Sequence, residues 1–127
     1  MSADLPPLVL AYIGDAYFNL FVRCRLLDIA PAKVRSLHNL GAKAVSAVCQ
    51  SKAYYSIESM LTDGERAIFH RGRNAKSHAP RSASVAEYHN STGFEALVGF
   101  LYLTEQQQRL NEICSAAMTV IVEDMRL

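Results

Sequence analysis

"AYIGDAYFNLFVR" (residues 11–23) reads as a buried helix with one residue out of keeping. Apolar side chains fall on nearly every face, yet Asp15 sits in their midst. A carboxylate in apolar surroundings is costly unless something neutralises it. A second stretch, "STGFEALVGFLYL" (residues 91–103), poses the same problem with Glu95. A helix turns about 100° per residue, so positions three, four and seven away share a face. Asp15 then shares its face with Leu8, Ala11, Phe18, Asn19 and Val22. Glu95 shares its face with Tyr88, Ser91, Thr92, Val98, Gly99 and Tyr102. Neither acid has a Lys or Arg at that spacing. Three arrangements would resolve the conflict. Each acid lies on an exposed face, or pairs with a distant cation such as one from "HRGR" (residues 70–73), or both converge on a divalent metal. Mg²⁺ keeps several waters and takes one or two carboxylates directly, so two acids suffice for the third arrangement.

The rest of the helical pattern surrounds these two segments. "LPPLVLAYIGDAYFNLFVRCRLLD" (residues 5–28) opens on prolines that suit a first helical turn, and its apolar positions make it central. "APAKVRSLHNLG" (residues 30–41) reads as a short helix closed by Gly41. A longer helix covers residues 42–61, and "TDGERAIFHRGR" (residues 62–73) starts on a Thr62/Glu65 capping box. Residues 74–88 are polar, small and proline-bearing, which predicts a loop. The strongly apolar helix follows, and then an amphipathic one with Thr104 as its cap. "VLAYI" and "MTVIV" are short apolar runs inside helical patterns, so no strand is predicted. The fold class is all-α, a helical bundle.

With 127 residues, half of them hydrophobic and a fifth charged, the chain is expected to form one domain over residues 1–127. Its net charge of +1 excludes a general polycation, so any polyanion must be met by a local patch. Cys24, Cys49 and Cys114 are unpaired by spacing and lie in apolar contexts, which predicts three buried thiols and a reducing compartment. The four histidines show no zinc spacing. No signal peptide or bilayer-spanning run is visible, so an intracellular location without membrane attachment is expected.

The local patch exists. From Arg66 to Ala86 there is no acidic residue, while Arg66, Arg71, Arg73, Lys76 and Arg81 all fall there. "RGRNAKSHAPR" (residues 71–81) combines long cations, small residues and the neutral donors Asn74 and Ser77, as a phosphate-contacting loop does. The bland reading is a solvated charge run. No aromatic lies between Phe69 and Tyr88, which favours a duplex read by shape over a single strand read by stacking. A basic loop together with a metal-binding acid pair points to hydrolysis of a phosphodiester in a polyanion.

"YIGDAYFNLFVR" resembles the signature helix of the ribonuclease III family, and "FEALVGFLYL" resembles that family's second motif. "RGRNAKS", "STGFEAL" and "SLHNLGAKAVSAVCQS" are similar to the short branch called Mini-ribonuclease III, which has the catalytic domain without a separate double-stranded-RNA-binding domain. The motifs span about Leu8 to Leu103. The resemblance implies a homodimeric, Mg²⁺-dependent endoribonuclease, with Mn²⁺ able to substitute, that cuts double-stranded RNA and leaves 5′-phosphate ends. It places Asp15 and Glu95 as catalytic and metal-holding residues. It places Arg71, Arg73, Asn74, Lys76, Ser77 and Arg81 in the RNA-binding loop. It further implies maturation of large-subunit ribosomal RNA precursors in a bacterial cytoplasm or plastid stroma. Larger relatives carry extra acids where this chain has Leu8, Ala11 and Thr92, so the number of metals per site stays open. The sparse acids motivate a second reading, an inactive duplex-RNA-binding or ribosome-assembly protein of the same fold. A third reading is a helical interaction module whose aromatics only feed a core.

Overall fold

Pro6 and Pro7 start the first helix, α1 (Pro7–Ile29), where a missing N–H costs nothing. It ends at Ala30, held extended at φ −127° and ψ 156°, as the residue before a proline prefers. The computed structural model describes residues 4–30, 32–75 and 84–125. Within them follow α2 (Val34–Ala44), α3 (Ala47–Ile57), a single 3₁₀ turn (Glu58–Met60), α4 (Asp63–Arg73), α5 (Val85–Leu103) and α6 (Gln107–Met125). Every regular element among the described residues is helical, as the periodicity predicts.

The boundaries differ from expectation in three places. Helix α2 runs through Gly41, which is buried against Leu26, and stops at Val45. The real punctuation is Ser46, whose hydroxyl accepts from Cys49 N at 3.3 Å and caps α3. Helix α5 begins inside the expected loop, on a second capping box: Ser84 Oγ accepts from Glu87 N, and Glu87 Oε1 accepts from Ser84 N, both at 3.1 Å. Thr104 closes α5 instead of opening α6, with its hydroxyl donated to Phe100 O. The expected Thr62/Glu65 box on α4 is present.

Helix α5 is the axis of the fold. It packs against α1, α3, α4 and α6, and its buried residues run from Asn90 to Leu101. Phe18 of α1 meets Phe94 of α5 edge-on at 5.0 Å, and Tyr54 of α3 stacks on Phe69 of α4. Cys49 and Cys114 lie in this core, and burial pushes the Cys114 thiol up to about 12. Cys24 is exposed, contrary to expectation, because it falls on the outer face of α1. Tyr12, at 77% exposure, also stands clear of the core, while Tyr17 and Phe100 are only partly covered.

One ion pair fastens α6 to α4. Arg109 Nε and Nη2 donate to the two oxygens of Glu65 at 2.7 and 2.8 Å, and Nη2 also donates to Met60 O. Glu65 is buried, so removing its partner would strand a charge. The hydrogen bond from Arg109 holds the Glu65 carboxyl below its usual 4.5, against the opposing effect of burial. The stabilisation is therefore present above that usual value and lost as pH falls through the depressed one. Arg109→Met is expected to cost about 3 kcal/mol at pH 7. Urea unfolding should show that deficit shrinking in acid; a deficit that grows as pH falls would contradict the sign.

Candidate active site

Two glycines let α1 and α5 touch main chain to main chain. A Cβ on Gly14 would lie 1.7 Å from Glu95 O, and one on Gly99 would lie 1.9 Å from Leu10 O. Neither position tolerates a side chain without the helices parting. The contact partner of Gly14 is the backbone of Glu95 itself. Asp15, next along α1, is thereby brought beside the Glu95 side chain, within hydrogen-bonding reach.

The carboxylates converge on each other. Asp15 is exposed and Glu95 half-buried. Burial raises the Glu95 carboxyl, and the neighbouring Asp15 raises it further, to about 8, while a hydrogen bond from Gln50 opposes the rise. Among the described residues neither acid joins an ion pair. The distant cations of "HRGR" are engaged elsewhere: Arg71 donates to Leu5 O and Arg73 to Asn90. Of the three arrangements open from sequence, the exposed face describes Asp15 alone, and the distant cation describes neither acid. The convergence that a shared divalent ion requires is present.

Two amides hold the pair. Asn19, one turn after Asp15, donates Nδ2 to Asp15 Oδ1 at 3.0 Å and to Asp15 O at 2.8 Å. Gln50 donates Nε2 to Val45 O at 2.9 Å and to Glu95 Oε2 at 3.3 Å. Asn90, one turn and a half before Glu95 on α5, instead gathers Ser51, Tyr55 and Arg73. Asn19 was visible from its spacing, whereas the roles of Gln50 and Asn90 were not. A polar residue at a position the packing buries was the available signal, and α3 burial is not legible from its weak periodicity. Thr92 is buried with its hydroxyl proton given to Tyr88 O. A cavity of about 550 Å³ opens between α1 and α2, lined in part by Asn19, Arg23, His38 and Val45 but by neither acid.

Of the predicted RNA-binding residues, Arg71, Arg73 and Asn74 are described. Arg71 and Asn74 are exposed at the end of α4. Arg73 is half-buried, its Nε bonded to Asn90 Oδ1 at 2.8 Å, while Asn90 gives its own N–H groups to Ser51 Oγ and Tyr55 OH, each at 3.0 Å. Arg73 is thus anchored where α3, α4 and α5 meet. Lys76, Ser77 and Arg81 lie outside the described residues.

Residues 8–106 match the model of the ribonuclease III domain, and both carboxylates fall inside that span. The chain belongs to the ribonuclease III family. Membership makes it an RNA-binding hydrolase, an endoribonuclease. It is similar to Mini-ribonuclease 3 of Symbiobacterium thermophilum, at 49% identity over 92% of this chain and 91% of that one. Mini-ribonuclease 3 of Staphylococcus aureus is 38% identical, over 94% of this chain and 91% of that protein. A crystal structure of a Fusobacterium nucleatum protein superposes with a TM-score of 0.82 at 30% identity, covering 92% of this chain and 94% of the other. The ribonuclease III fold expected from the motifs is therefore the observed one.

The donor set fits a hard divalent cation. Two carboxylates share a site where, among the described residues, neither is paired with a cation, and one is forced towards its protonated form. Beside them the Gln50 Oε1 is buried without a partner, a state that costs about 1–3 kcal/mol. No group of three or more His, Cys, Asp or Glu gathers among the described residues. That donor set suits an ion that retains water and accepts substrate phosphate.

Proposed function

We propose that this chain cleaves double-stranded RNA as a homodimer, using a divalent metal held by Asp15 and Glu95. The observation that carries the reading is the meeting of these two acids across the Gly14 contact, in a chain of the ribonuclease III family. When bound, Mg²⁺, or Mn²⁺ in its place, would acidify the attacking water and stabilise charge on the leaving oxygen. The chain's own groups do the rest. Asn19 fixes the Asp15 carboxylate, and the end of α4 presents cations to phosphate oxygens. Arg71, Arg73, Asn74, Lys76, Ser77 and Arg81 are the residues assigned to that grip. The dimer is supported by an apolar face on α1, where Val9, Tyr12, Leu20 and Leu27 stand exposed at helical repeats. We assign ribosomal RNA precursors and the cytoplasm by likeness to the Mini-ribonuclease III branch alone; no helix among the described residues is long and apolar enough to cross a membrane.

The test is a labelled RNA duplex incubated with and without Mg²⁺, beside the solution mass of the protein. Cleavage to 5′-phosphate ends by a species of twice the chain mass is expected. Binding without cleavage at any Mg²⁺ concentration would instead support the inactive binder that the sparse acids suggest. Replacing Arg71 and Lys76 by Gln should weaken duplex binding and lower the slope of log K against log salt by about one unit per cation removed. A slope identical to the parent's would remove the loop from the interface.

A further inference from the structure

Gln50 is 1% exposed, on α3, directly behind the acid pair. Its two neighbours, Val45 O and Glu95 Oε2, are both acceptors, so the amide nitrogen must face them and both of its N–H groups are used. The other end of the same amide, Oε1, is left buried with no partner. A leucine or methionine would fill this space without burying that oxygen, but would take the donor from Val45 O and Glu95. What the amide provides is a grip on one carboxylate. Among the described residues, Gln50 is the only neutral group that donates to Glu95.

We propose that Gln50 is a positioning residue for the reaction. It ties the Glu95 carboxylate to the main chain at Val45, between α2 and α3, and so presents its oxygens towards Asp15. Without it, Glu95 loses its only neutral donor, and the pair holds a cation less well. This role rests on the reading of Asp15 and Glu95 as metal ligands.

Gln50→Met, similar in length and without a donor, separates positioning from packing. Its Tm is expected within a few degrees of the parent or above it. Its Mn²⁺ dissociation constant, measured on the protein without RNA, should rise about tenfold, and kcat should fall about tenfold or more with KM for duplex RNA unchanged. Unchanged Mn²⁺ affinity and kcat would overturn the proposal, as would losses that only follow a lowered Tm. A measurement on the unmodified chain stands beside the variant. The side-chain amide signal of Gln50 in a nitrogen-resolved NMR spectrum should move on Mg²⁺ addition, together with the backbone amide of Asp15. A stationary Gln50 signal beside a moving Asp15 signal refutes the role of Gln50 while leaving the metal site intact. If neither signal moves and Glu95→Gln binds Mn²⁺ as the parent does, the metal site itself fails and this role with it.

Discussion

Glu95→Gln is expected to abolish cleavage and, at the same time, to raise the melting temperature of the metal-free protein. The substitution preserves shape and the bond from Gln50 but removes a charge that the site must neutralise. If Glu95 holds the metal as proposed, its loss should lower kcat by about 10³-fold or more, since the metal would then stabilise charge on the leaving oxygen less well. The stability effect has the opposite sign. The folded Glu95 carboxyl titrates at about 8 against an ordinary 4.5, so the native state prefers the proton. Its favourable contribution is complete below 4.5, and it is lost as pH climbs through about 8. At neutral pH the folded carboxyl is mostly protonated while the unfolded one is ionised, and taking up that proton costs the fold on the order of 2 kcal/mol. The amide avoids that cost, which corresponds to a gain of about 5–10 °C. Millimolar Mg²⁺ should raise the Tm of the parent and leave that of Glu95→Gln unmoved. Parental cleavage by Glu95→Gln, or a lower melting point without metal, would refute this account of the site.

Gly14→Ala is expected to damage fold and activity together. A methyl group 1.7 Å from Glu95 O meets main chain, which no rotamer change can relieve. The helices must separate, and the separation falls between the two acids. Alanine gains about 1 kcal/mol in helix propensity over glycine, but the lost packing outweighs it. A net loss of about 3 kcal/mol or more is expected by urea unfolding. Gly99→Ala should behave alike, since its Cβ would lie 1.9 Å from Leu10 O. Activity should fall further than the folded fraction does, because the surviving native molecules hold the acids apart. A Gly14→Ala protein with parental Tm and rate would show that the contact is not needed.

Part of this was readable before any coordinates. Asp15 and Glu95 stand out because an acid contradicts the helix around it, although the pattern alone left an exposed face, a distant cation and a shared metal all open. The helices were legible wherever apolar periodicity was strong. Gly41 misled because a glycine can end a helix or pass through one, and here it passes beside Leu26. The start of α5 was hidden by composition: Ser84 and Glu87 form the same signature as Thr62 and Glu65, but inside a polar stretch. Cys24 shows the limit of reading burial from neighbours, since α1 is apolar beyond the face it buries. Gln50 and Asn90 were not legible at all as partners. Their contacts join residues 45 apart and 39 apart respectively, and such pairings are made by tertiary packing.

The crossing of α1 and α5 has a consequence for the newly made chain. Asp15 and Glu95 come from helices far apart along the chain, so no fragment lacking either α1 or α5 carries both acids of the proposed site. On that reading the chain can cut RNA only once α5 has packed on α1.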